Sequence, residues 1–222
     1  MPKPKSLAGR IALVTGGAGG IGSAIASKLL SEGACVVLAD IDKASLDEVT
    51  AGFGKTYGKD NVRGVVMDVT SEDAVIGATD QAVLAYGGLD IVVNNAGITL
   101  AAPVEDTSLE LWNKNMAILG TGYFLVAREG YRLMQKQKLG GSMIFIGSKN
   151  GVTASPGASA YCSVKAAEIQ LARCMALEGA PHGIRVNVVN PDAVLRGSKI
   201  WQGPWRQQRA ASSPLLPSAA RV

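Results

Sequence analysis

The chain has 222 residues, which suggests one domain of the common size of about 150 residues with an extension, large enough to bury a core without covalent staples. Hydrophobic residues make up 47% and charged residues 18%, which excludes a disordered, acidic or coiled-coil protein. The net charge of +4 belongs to the end of the chain: beyond Asp192 there is no acid but there are Arg196, Lys199, Arg206, Arg209 and Arg221, so the rest carries −1 and offers no basic face for nucleic acid.

Read from the start, Met1–Lys5 is basic, but no apolar run of signal-peptide form follows. Short Val- and Ile-rich runs then alternate with helical stretches. Ile11–Val14, Cys35–Ala39, Val62–Met67, Ile91–Val93, Met143–Ile146 and Ile184–Val189 read as strands, several of them continuously apolar, as strands covered on both faces are. Helices are expected over Ile21–Ser31, Ala44–Tyr57, Glu72–Ala85, Leu109–Gln137 and Ala158–Glu178. The alternation predicts an α/β fold, a doubly wound parallel sheet of Rossmann type with six strands. Residues 1–200 form the predicted domain, and residues 201–222, rich in Pro, Ala and Ser, an irregular tail. Cys35, Cys162 and Cys174 are too few and too scattered for disulfides or a zinc site, so no metal is expected and a reducing, cytoplasmic setting fits. No apolar run reaches the roughly 20 residues of a membrane helix.

The first strand runs into Thr15-Gly16-Gly17-Ala18-Gly19-Gly20-Ile21-Gly22, and a helix follows. Glycines there let backbone approach a pyrophosphate, and the helix N-terminus supplies free N–H groups. The second strand closes on Asp40, 18 residues beyond Gly22, where an acid can bind ribose hydroxyls and repel a 2′-phosphate. That favours NAD as cofactor. Asp68 and Asn94-Asn95-Ala96-Gly97 follow the third and fourth strands, at the edge where such sheets bind ligands.

Together with Tyr161-Cys162-Ser163-Val164-Lys165 and Ser148, 13 residues before Tyr161, these motifs resemble the short-chain dehydrogenase/reductase family over residues 8–195. The resemblance implies an NAD-dependent oxidoreductase. Its cofactor set comprises Gly16, Gly19, Gly20, Ile21 and Gly22, then Asp40 and Ile41, Asp68 and Val69, Asn95, Ala96 and Gly97, and Pro191, with Tyr161 and Lys165. Asp68 would hold the adenine amino group, and Asn95 would tie strands together. Tyr161 and Lys165, four apart on a helix, share a face. The ammonium is expected to lower the phenol pKa from roughly 10 and make Tyr161 the general acid/base. Ser148 would orient the substrate oxygen.

Within the family, Gly147–Asn150, Ser155–Tyr161 and Asn190–Val194 are similar to the reductase half of bifunctional rhamnulose-1-phosphate aldolase/alcohol dehydrogenases. That likeness implies small hydroxyaldehydes and polyols such as lactaldehyde, in rhamnose catabolism, and a parent in which an aldolase precedes the reductase.

Three features depart from the family pattern. Leu119 stands where an Asn is usual, and Asn115, one turn earlier, or a water is the candidate substitute in catalysis, unless Asn115 is merely a surface amide. Asn190-Pro191-Asp192 replaces the commoner Pro-Gly; Asp192 either binds substrate hydroxyls or caps the next turn, and Lys149 and Asn150 are weaker substrate candidates. Beyond Arg206 the resemblance fades, which predicts a truncated or replaced C-terminus lacking the seventh strand and part of the substrate lid, where Trp201 and Trp205 would lie. Tetramers or dimers through the two longest helices are the expected assembly. The alternatives are a 3-oxoacyl or polyol reductase, the former disfavoured by Asp40, a catalytically impaired NAD-binding fragment, and an interaction module with a vestigial pocket.

Overall fold

The computed structural model describes residues 5–192 and 194. Six strands, β1 (Ile11–Thr15), β2 (Cys35–Asp40), β3 (Val62–Val66), β4 (Ile91–Asn94), β5 (Gly141–Ile146) and β6 (Ile184–Val189), form one parallel sheet in the order β3-β2-β1-β4-β5-β6. The strand order reverses direction between β1 and β4, which opens a crevice at their C-terminal ends. The expected tail over 201–222, the missing seventh strand and lid, and Trp201 and Trp205 lie outside the described residues.

Alternation along the strands builds two cores. Leu13, Val37 and Val92 face a cluster made with α3 (Glu72–Tyr86), α5 (Tyr123–Gln137) and α6 (Ser159–Gly179). Ala12, Val14, Val36 and Leu38 face the other side, against α1 (Gly20–Ser31) and α2 (Lys43–Tyr57). Both faces of β1 and β2 are therefore dry, which explains their unbroken apolar sequence. No helix among the described residues is long and apolar enough to cross a membrane.

One predicted element differs. Leu109–Gln137 is not a continuous α-helix: α4 (Leu109–Asn115) passes into a π-helical stretch, Met116–Gly122, before α5 begins. Close packing accompanies this wide turn. A Cβ on Gly122 would sit 2.8 Å from a Val69 methyl, and Leu119 presses a methyl to within 2.9 Å of where a Cβ on Gly97 would be. Asn115 closes α4 and Leu119 lies in the π-helical stretch, and both are buried.

Candidate active site

Because every strand is parallel, the loops after β1, β2, β3, β4, β5 and β6 emerge at one edge of the sheet. That edge gathers the glycine loop, Asp40, Asp68, Asn95, Ser148 and Pro191.

The glycine loop is folded on itself. Gly16 takes a positive φ of 62°, and a Cβ on it would lie 2.9 Å from Ala96 Cα. A Cβ on Gly22 would fall 2.1 Å from Gly16 O. These glycines thus answer to the chain's own packing as well as to pyrophosphate approach. Gly19 has more room, its nearest neighbour in that test being Gly16 O at 3.3 Å. No side chain caps α1, so the first-turn N–H groups, from Gly20 through Ile21 and Gly22, have no side-chain acceptor at the cap and no intrahelical one.

Two neighbours brace the loop. Asn95 Nδ2 donates to Thr15 O (2.8 Å) and Gly16 O (3.2 Å), while the Asn95 and Ala96 backbone N–H groups donate to Thr15 Oγ1, each at 2.9 Å. Asp40 Oδ2 accepts from Ala18 N at 3.0 Å and Oδ1 from Asp42 N at 3.1 Å. The N-cap of α2 is Asp42, not Asp40. Asp40 is thereby aimed at the loop, with Ile41 exposed beside it. Asp68 Oδ1 accepts from both Thr70 N and Thr70 Oγ1 at 2.8 Å, an Asx turn that fixes the carboxylate, and Val69 is buried behind it.

At the other half of the edge, Ser148 Oγ accepts from Asn150 N at 3.2 Å, which leaves its O–H free to donate. Asn150 Oδ1 accepts from Ser155 Oγ at 3.0 Å and so closes its own loop. Asp192 pairs with Lys149 Nζ at 2.5 Å, and Lys149 N donates to Pro191 O at 3.0 Å, joining the loops after β5 and β6.

Ser148 and Thr99 both act on the phenol of Tyr161. Its pKa departs from expectation: burial pushes it above the usual 10, hydrogen bonding with Ser148 and Thr99 pulls it back in part, and the Glu168 carboxylate pushes it up again. The Lys165 ammonium directs its hydrogen bonds elsewhere. Nζ donates to Ile146 O at 3.0 Å and to Glu168 Oε2 at 2.9 Å, 4.8 Å from the Tyr123 ring centre and 5.8 Å from that of Tyr161. Burial pushes the Lys165 ammonium down, while Glu168 holds it up. Glu168 itself is pushed up to about 7 by burial, against the pull of Lys165.

Asn115 is fully buried, and its Nδ2 donates to Leu100 O at 3.1 Å and Leu111 O at 3.0 Å. It staples the loop after β4 to α4. Thr99, Tyr123 and Glu168 are the site residues missed in the sequence. Glu168 left a trace: an acid three residues after Lys165 shares its helix face, and that face is otherwise apolar. A groove lined by Pro103, Ser155, Pro156, Cys162 and Ser163 runs beside the site but includes none of Ser148, Tyr161 and Lys165.

A parallel sheet with a glycine loop at its switch point defines a dinucleotide-binding α/β domain. The model of the short-chain dehydrogenases matches residues 10–205, and the chain belongs to that family. YuxG of Bacillus subtilis (strain 168), an uncharacterized oxidoreductase, is 52% identical over 216 residues, 97% of this chain. The match covers 31% of YuxG, so the chain spans about a third of that relative's length. D-threitol dehydrogenase of Mycolicibacterium smegmatis (strain ATCC 700084 / mc(2)155) is 35% identical over 201 residues, 89% of this chain and 76% of that enzyme. Among solved structures, NAD+-bound xylitol dehydrogenase matches with a TM-score of 0.81 at 36% identity, covering 85% of this chain and 72% of that one.

Proposed function

We propose that the chain carries out NAD-dependent interconversion of a small polyol or hydroxyaldehyde and its carbonyl partner, with lactaldehyde in rhamnose catabolism as one member of that class. The observation that carries this reading is Tyr161 in the first turn of α6, with Lys165 Nζ 5.8 Å from its ring centre and Ser148 in the loop after β5, at the sheet edge that also carries the glycine loop. The polyol class rests on relatives named for threitol and xylitol.

The residues present fit the cofactor. The open N-terminus of α1 suits a pyrophosphate, and the braced Asp40 suits two ribose hydroxyls while opposing a 2′-phosphate. Asp68, Val69 and Ile41 would hold the adenine side, Ala96, Gly97 and Pro191 the nicotinamide side, and Lys165 the second ribose. When bound, the nicotinamide ring gives or takes the hydride. Tyr161 moves the proton: its O–H donates to the carbonyl oxygen in reduction, and its phenolate accepts the hydroxyl proton in oxidation. Ser148 donates a hydrogen bond to the same oxygen. Asp192 and Asn150 stand at the mouth, where a polyol's further hydroxyls would meet them. Exposed Leu109, Trp112 and Phe124 on α4 and α5 and Leu177 on α6 support assembly of a homo-oligomer through these helices.

Because burial holds Tyr161 protonated at neutral pH, carbonyl reduction should run there, whereas alcohol oxidation should rise with pH as the phenolate forms. The test is steady-state turnover of threitol, xylitol and lactaldehyde with NAD(H) from pH 6 to 10, in wild type and Tyr161→Phe. Losing one general acid/base should cost roughly 100-fold or more in kcat. Full activity in Tyr161→Phe would refute the assignment.

A further inference from the structure

Lys165 is 3% exposed and Glu168 1% exposed. An ammonium in such a place is expensive unless a charge and well-placed acceptors compensate it. Its surroundings hold few acceptors. Ile146 O is shared, since Tyr123 Oη donates to it at 2.9 Å beside Lys165 Nζ at 3.0 Å. Leu119, 1% exposed in the neighbouring π-helical wall, offers none. Glu168 Oε2, at 2.9 Å, supplies the compensating charge. Its second oxygen, Oε1, is buried with no hydrogen-bond partner among the described residues, so the carboxylate is committed to the ammonium and to nothing else. An acid is not placed there for the helix, because a buried ion pair contributes little net stability compared with apolar side chains of similar volume.

We propose that Glu168 is a positioning residue of this active site, which through its ion pair keeps Lys165 charged and fixes its Nζ between Ile146 O and the rings of Tyr123 and Tyr161. An ammonium has three donors, and two are taken, by Ile146 O and Glu168 Oε2. The pinned geometry leaves the third for the ribose of a bound cofactor, and to that extent the inference rests on the NAD reading. The titratable groups around Nζ are Tyr123 from α5 and Tyr161 and Glu168 from α6. Lys149, on the turn that packs against α6, is paired with Asp192. Burial of Lys165 and the charge of Glu168 act on the ammonium in opposite directions, and removing the charge leaves burial unopposed.

The experiment uses cofactor-free protein labelled with [ε-13C]lysine, the Lys165 resonance being assigned by its absence in Lys165→Met. Titration by NMR should show the Lys165 ammonium losing its proton at least one pH unit lower in Glu168→Gln than in wild type. Glu168→Asp, which keeps the charge on a shorter arm, should fall between them. Identical titration of Lys165 in wild type and Glu168→Gln would overturn the proposal. If Glu168→Gln does not fold, Glu168→Asp decides: a curve displaced below wild type supports the proposal and a coincident one overturns it. NADH binding, followed by fluorescence at pH 8.5, is the separate readout of the cofactor reading. Failure of wild type to bind NADH would sink that reading and leave the Lys165 titration to judge Glu168 by itself.

Discussion

Tyr161 and Lys165 were legible as a pair from their spacing, yet the phenol pKa moves up where it was expected to move down, burial being the largest influence on it. Spacing fixes which helix face two residues share; it does not tell where a four-carbon arm points. Lys165 turns its hydrogen bonds to Ile146 O and Glu168, while its Nζ stays 5.8 Å from the Tyr161 ring centre. The partner that captured the arm was present in the sequence but had no motif to mark it. Its titration has a direction that can be checked. Glu168 rises from 4.5 to about 7 on folding, so between those values the native state keeps a proton that the unfolded state has lost. The stability it contributes is full below pH 4.5 and is lost as pH rises through about 7. Lys165, pushed down from 10.5, acts in the opposite sense at higher pH. Thermal unfolding of wild type should therefore lose on the order of 1–3 kcal/mol, a few degrees in Tm, between pH 4.5 and 8 relative to Glu168→Gln. Parallel curves for the two proteins would show that Glu168 is not buried with a raised pKa.

At the scale of elements, the strands were read from continuous Val and Ile runs and shifted by no more than two residues. The signal was strongest in β1, β2 and β4, whose two faces are both buried, while the edge strands β3 and β6 carry exposed Arg63, Arg185 and Asn187. The π-helical stretch was invisible, since its residues, Met116 to Gly122, suit an α-helix equally well in propensity. The residues packed closest against the wide turn, Val69 and Gly97, lie elsewhere in the chain. Asn115, the expected stand-in for a relay amide, donates to two backbone carbonyls, and its Oδ1 is buried without a hydrogen-bond partner among the described residues. Asn115→Ala should lower stability by about 1–3 kcal/mol, the cost of leaving a buried carbonyl unpaired, with kcat unchanged at saturating substrate. A fall in kcat without a fall in Tm would return Asn115 to the chemistry. The glycine loop offers a sharper contrast. Replacing Gly by Ala inside a helix ordinarily stabilises by roughly 0.5–1 kcal/mol. Gly22→Ala should do the reverse, because its Cβ would meet Gly16 O at 2.1 Å, whereas Gly19→Ala has 3.3 Å at the same atom. Urea unfolding of the two variants should rank Gly22→Ala well below Gly19→Ala, and equal midpoints would show that the loop can open without cost.

For the molecule as a whole, the parallel sheet turns six separate sequence signals into one edge. Gly16, Asp40, Asp68, Asn95, Ser148 and Pro191 are scattered over most of the described chain, yet each follows a strand, and parallel pairing delivers all six loops to the same side. This is why the placement of the site could be argued from sequence order alone while its internal contacts could not. The same convergence means that a dinucleotide lying along the edge would bridge loops from both halves of the sheet and bind only the folded chain. A ligand of that kind raises stability by about 2.7 kcal/mol at 100 times its Kd, which for a domain of this size is several degrees in Tm. On the proposed NAD reading, NAD should therefore raise Tm in wild type while NADP does not, because Asp40, held toward the loop by Ala18 N, would oppose a 2′-phosphate. Asp40→Ala should narrow that difference by weakening NAD and admitting NADP. A shift with NADP equal to that with NAD in wild type would mean that Asp40 braces the loop without reading the ribose.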